Sequence, residues 1–168
     1  MRLLLDIGYP APPERVFALL TDPSFQRLRA IRAGAAECRV ELRHPEEPEV
    51  EVLLTVHRWI PTDRFSRRLQ AATGPRLELT QQERWGPAEP DGSRTAGISA
   101  RVHGFPAEVD GRAELRADGT GASSFRLDAD LRLHLPVVGA RIARVALPVI
   151  EEHLRAEAEV VRHRLSGA

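Results

Sequence analysis

The stretch LELTQQERW, residues 77–85, puts Leu77, Leu79, Gln81, Glu83 and Trp85 on one side of an extended strand, because strand side chains alternate faces. If that side looks into an apolar interior, Gln81 and Glu83 each need a hydrogen-bonding partner there. One expectation is a ligand site, with these two groups contacting a bound molecule and Trp85 forming an apolar or stacking wall. A carboxylate enclosed in this way could serve as an acid or base. The competing expectation is a bulge that rotates the strand, or a Glu83 at the rim that pairs an arginine.

No other residue set carries a recognisable catalytic spacing. His57, His103 and His134 alternate with the apolar positions of their strands and should point outward. His153 and His163 are too far apart to share a helix face as a pair. There is no HExxH, no Gly-x-Ser-x-Gly elbow, no phosphate loop and no dinucleotide fingerprint, so neither a metal nor a cofactor is expected. Cys38, the only cysteine, excludes an internal disulfide and reads as an inert core thiol. Asp128 and Asp130, between Arg126 and Arg132 and beside Glu108, Asp110, Arg112 and Glu114, could pass for a catalytic carboxylate pair. Their alternation instead predicts a solvated lattice of weak charge pairs on the wet face of neighbouring strands. Arg27, Arg29, Arg32, Arg64, Arg67 and Arg68 could line a cavity entrance, although surface solubility explains them equally well.

The elements that must position these residues follow from periodicity. Residues 2–9 alternate as a first strand, with Leu3, Leu5, Ile7 and Tyr9 on one side. Pro12 and Pro13 suit a first helical turn, and Val16, Phe17 and Leu20 form its apolar stripe. Asp22-Pro23 ends that helix. Asp22 or Ser24 can cap a second short one carrying Phe25, Leu28 and Ile31. Strands then follow at Glu37–Arg43, through Val50, Val52, Leu54 and Val56, at Leu77–Trp85, at 95–103 and at 107–116. The connection over 61–75 has room for one helical turn. The last strand alternates most strictly, with Phe125, Leu127, Ala129, Leu131, Leu133 and Leu135 inward, as in an antiparallel sheet with one buried face. Val138, Ile142, Val145, Ala146, Val149, Ile150, Leu154, Val161 and Leu165 then trace a helical stripe. Pro148 falls inside it and should either kink that helix or start a fresh one.

With 168 residues and no linker, the chain is expected to be a single domain over 1–168. Its 24 basic residues, all arginine, balance 24 acidic ones, so no overall field draws it to nucleic acid. No segment approaches the roughly 18 apolar residues that cross a bilayer, so stable membrane insertion is not expected. The N-terminal apolar run is too short for a signal peptide and is broken by Asp6, which makes the cytoplasm the expected setting.

The segment YPAPPERVFALLTDPSF resembles the strand-to-helix entry of the START-like (SRPBCC, helix-grip) superfamily, the fold of the birch pollen allergen and the polyketide cyclases. LTQQERWGP, HGFPAEVDG and LPVVGARI are similar to an uncharacterised domain family within it, over nearly the full length. The resemblance implies an α+β helix-grip fold: a curved antiparallel sheet of about 6–7 strands, two short helices after the first strand, and a long C-terminal helix packed across the sheet. It also implies an apolar cavity between sheet and helix, of the several hundred Å³ typical of such sites. It brings no catalytic residues with it.

The inward faces make Val56, Leu79, Gln81, Glu83, Trp85, Ile98, Val102, Leu131, Val145 and Val149 the expected lining of that cavity. The function expected first is binding or carriage of a small hydrophobic molecule such as a lipid, isoprenoid or polyketide-like compound, without catalysis. The alternatives are a cyclase- or aromatase-like enzyme using Gln81, Glu83 and Trp85, or an interaction module whose cavity is filled by its own side chains. The sequence leaves the oligomeric state open.

Overall fold

The computed structural model describes residues 1–119 and 121–167. Seven strands form one antiparallel sheet: β1 (Arg2–Tyr9), β2 (Glu37–Arg43), β3 (Val52–Pro61), β4 (Arg76–Trp85), β5 (Arg94–Val102), β6 (Ala107–Ala117) and β7 (Ser123–Leu133). Their spatial order is β1-β7-β6-β5-β4-β3-β2. Sequence neighbours therefore pair antiparallel from β2 to β7, with α3 in the β3–β4 connection, and only β1 crosses over to join β7. The helices among the described residues are α1 (Pro13–Leu20), α2 (Pro23–Arg32), α3 (Arg67–Thr73) and α4 (Gly139–Leu165).

Register sorts the side chains into rows that cross the sheet. One row runs Val40, Val56, Gln81, Ala100, Val109 and Leu131; the next runs Leu54, Glu83, Ile98, Gly111 and Ala129. These rows lie on the face that α4 covers. The opposite face holds the charge lattice, with Arg2 gripping Asp128 through Nε and Nη2 at 2.9 and 2.6 Å and Arg101 pairing Glu108. His57 and His103 both meet the Thr80 hydroxyl on that outer face, and His134 meets Glu108. Gly111 lets β6 approach β7 closely. A Cβ there would come within 2.4 Å of the Ala129 Cβ and the Asp128 carbonyl.

The local chemistry explains the turns between helices. Pro13 opens α1, where its missing N–H costs nothing. The Asp22 carboxylate accepts from the Phe25 N–H at 2.7 Å and caps α2. Three expectations need correction. α2 buries Phe25, Gln26, Arg29 and Ala30, while Leu28 and Ile31 are exposed, so its inward face carries a charge. Val50 lies before β3, although it is buried, and Leu135 lies beyond β7. Val138 precedes α4 and is exposed, in a turn that also holds Val137 at a φ of +68°. Of the two outcomes open to Pro148, the fresh helix is not the one taken: α4 runs through it as one element, with Pro148 on the solvent side.

α4 has two halves with different work. Its C-terminal half buries Ala158, Val161 and Leu165 against Leu5, Ile7, Leu115 and Leu127. Trp85 completes that packed end, fully buried and edge-on to Phe17 at 5.5 Å between centroids. The N-terminal half, containing Pro148, buries Gly139 and Ala143 and packs Leu147 and Ile150 against the core, but also roofs an unfilled space.

Candidate functional site

That space is a partly open cavity of about 230 Å³. Its walls are apolar: Leu77, Leu79, Ile98 and Val102 from β4 and β5, Leu131 and Leu133 from β7, and Ile142, Ala146, Val149 and Ile150 from α4. Phe65, just before α3, and Leu69 on it close one side. The volume is below the several hundred Å³ expected, yet above the roughly 150 Å³ that accommodates benzene in an engineered core. A molecule about the size of two fused rings or a medium-length alkyl chain suits it.

Of the expected lining, Leu79, Gln81, Ile98, Val102, Leu131 and Val149 border this cavity. Glu83 borders a smaller adjoining cavity of about 60 Å³, together with Gln81 and Ile98. Val56, Trp85 and Val145 border neither: Val56 and Trp85 are fully buried, and Val145 is half-buried on α4. Trp85 is therefore part of the core and not a stacking wall. β4 has no bulge, since its pairing with β3 runs unbroken from Val52–Trp85 to Pro61–Arg76. Glu83 points inward and sits at no rim. Its Oε1 accepts from the Gln81 Nε2 at 2.6 Å and its Oε2 from the Trp85 indole N–H at 2.8 Å.

A charged cluster, not anticipated from the sequence, stands where the two cavities meet. Glu157 on α4 receives Arg58 from β3 at 2.5 Å and Arg29 from α2 at 2.9 Å. His153, one turn earlier on α4, places its Nε2 3.3 Å from the Glu157 Oε1. All but His153 are buried, with Arg58 only 1% and Glu157 3% exposed. Burial alone would push the Glu157 carboxyl up, but Arg29, Arg58 and His153 together outweigh it and hold the group well below the usual carboxylate range. Burial likewise pushes the nearby Tyr9 hydroxyl to about 12 and the Cys38 thiol upward, although Cys38 is half-buried on β2 and not in the core as expected. Arg58 and His153 border the large cavity, and Arg29, Tyr9 and Glu157 the small one. Of the arginines expected near an entrance, only Arg29 reaches the interior; Arg27, Arg32, Arg64, Arg67 and Arg68 are exposed.

The signal for this cluster was present in the periodicity. Arg58 continues the inward series Val52, Leu54, Val56, and Glu157 falls on the α4 stripe between Leu154 and Val161. A charge at an apolar-face position must be paired or neutralised. Among the described residues, no group of three or more His, Cys, Asp or Glu side chains is placed to hold a metal ion.

The architecture has counterparts among solved structures. The ZhuI aromatase/cyclase from Streptomyces sp. R1128 superposes with a TM-score of 0.66 at 10% identity, covering 99% of this chain and 93% of that one. A START superfamily protein from Mycobacterium smegmatis gives 0.58 at 13% identity, with coverage of 99% and 97%. A protein from Thermus thermophilus gives 0.58 at 15% identity, with coverage of 96% and 97%. At such identities the likeness concerns the fold: a curved antiparallel sheet gripping a C-terminal helix. No curated protein matches the chain in sequence. Residues 5–165 match the family described as a protein of unknown function, DUF2505. With nearly its whole length inside that match and a START-like helix-grip fold beneath it, the chain belongs to the DUF2505 family.

Proposed function

We propose that the chain, acting as one cytoplasmic domain, binds or carries a small hydrophobic molecule between the sheet and the N-terminal half of α4. The observation that carries this reading is the unfilled apolar volume of about 230 Å³ beneath a helix whose other half packs tightly. Evenly packed cores leave few voids larger than a water molecule, so a void of this size lined by Leu, Ile and Val side chains suits an apolar guest. The same volume speaks against an interaction module with a self-filled core. A compact lipid fragment, isoprenoid or polyketide-like ring system fits the shape. A cyclase-like reaction would need a proton-moving group free in the cavity. Glu83 does not border the larger cavity and its oxygens accept from Gln81 and Trp85, which speaks against Glu83 as that group.

Titration with the uncharged two-ring dye Prodan tests the proposal. Wild type should show saturable, one-to-one fluorescence enhancement. Ala146→Trp, which places an indole in the cavity, should weaken binding by about ten-fold or more while far-UV circular dichroism stays native. Equal dye binding in a folded Ala146→Trp variant would overturn the reading.

A further inference from the structure

We propose that the ligand of this cavity is a compact apolar carboxylate and that Arg58 receives its acidic group. The inference rests on the cavity-binding reading above and adds the chemistry of the headgroup.

Arg29, Glu157 and Arg58 form a row of alternating charge, with two guanidinium groups sharing one carboxylate. The row ends on Arg58, and that end is incomplete. Arg58 commits Nη1 to Glu157. Its Nε and Nη2 are buried and have no hydrogen-bond partner. Those two nitrogens form the side of the guanidinium fork that takes a carboxylate through two parallel bonds. The same molecule uses that side in this way on its surface, where Arg2 holds Asp128 through Nε and Nη2. A buried guanidinium left with two unused donors is costly, so such donors call for an acceptor.

The place supports the same answer. Arg58 borders the apolar cavity, and in the sheet it stands directly beside Leu79, another wall residue. Glu83 does not fill this place: its oxygens accept from Gln81 and Trp85, and no bond joins it to Arg58. A ligand carboxylate at Arg58 would extend the row by one more anion, with its apolar body lying along the Leu and Val walls. The modest volume selects a medium-chain or one- to two-ring acid over a long-chain lipid.

Calorimetric titration with decanoic acid and decanol at neutral pH tests the headgroup apart from the cavity. Wild type should bind the acid about ten-fold or more tighter than the alcohol, as a charge-assisted bidentate contact requires. Arg58→Lys keeps the positive charge but removes the fork, and the acid-to-alcohol ratio should fall toward one. Binding of both compounds with equal affinity by wild type would overturn the carboxylate proposal and leave the cavity reading standing. Failure to bind either would overturn both. An undiminished acid preference in folded Arg58→Lys would overturn the role of Arg58.

Discussion

Glu157 shows how one side chain joins folding to the site. Its carboxylate neutralises part of two buried guanidinium groups and ties α2, β3 and α4 together. Removing one partner of such a cluster typically costs about 3–5 kcal/mol, because the remaining charges stay buried without compensation. Glu157→Gln should therefore unfold at distinctly lower urea at neutral pH. The carboxyl is held below its ordinary range in the folded state, whereas an unfolded glutamate titrates near pH ~4.3. Its contribution is thus complete above about pH 5 and is lost as the pH falls further, because the unfolded chain takes up a proton that the folded chain refuses. Wild-type stability should drop in acid more steeply than that of Glu157→Gln, by up to about 1.4 kcal/mol per pH unit. Parallel urea midpoints from pH 7 to pH 3 would contradict this assignment. The residues of this cluster went unread, and at most they could have been found as anomalies of the apolar stripes, not as partners. A period-two stripe shows that Arg58 points inward, but only the fold shows that Glu157, about a hundred residues later, arrives opposite it.

Among the elements, the strands were legible and the helices less so. β7 follows strict alternation because one face is buried along its whole length. α2 misled because its two large aliphatic residues, Leu28 and Ile31, lie on the solvent side while Gln26 and Arg29 point in. Burial there is set by polar partners: Gln26 donates to the Leu20 carbonyl and Arg29 pairs with Glu157. α4 was legible as a long amphipathic element, but not its division of labour. The cavity under its first half is a property of sheet curvature, which no hydrophobic pattern records. Gly111 is one place where that curvature is paid for in side-chain volume. Gly111→Ala would drive a Cβ against backbone and side chain of β7, so the strands must separate. A loss of about 1–3 kcal/mol is expected by chemical denaturation, as for other overpacked sites. Wild-type stability in Gly111→Ala would show that the close β6–β7 approach is dispensable.

At the scale of the whole molecule, the sheet and α4 form a trough with unlike ends. One end is closed by Trp85, Phe17, Leu115 and Val161 and supplies cohesion. The other is a lined void bordered by Arg58 and His153. The overall fold could be read from strand order and the terminal helix, because each element carries its own periodicity. The void could not, since a wall residue and a core residue look alike in sequence; Val56 and Val149 differ only in what the fold places above them. No helix among the described residues is long and apolar enough to cross a membrane. The central claim is that the void is a ligand site. Native mass spectrometry of freshly purified protein, followed by denaturing extraction, tests it most directly. The account predicts a stoichiometric added mass that releases a compact apolar acid, or a clean apo mass that shifts by one equivalent on adding decanoic acid. An apo mass that takes up neither acids nor neutral apolar compounds would contradict it.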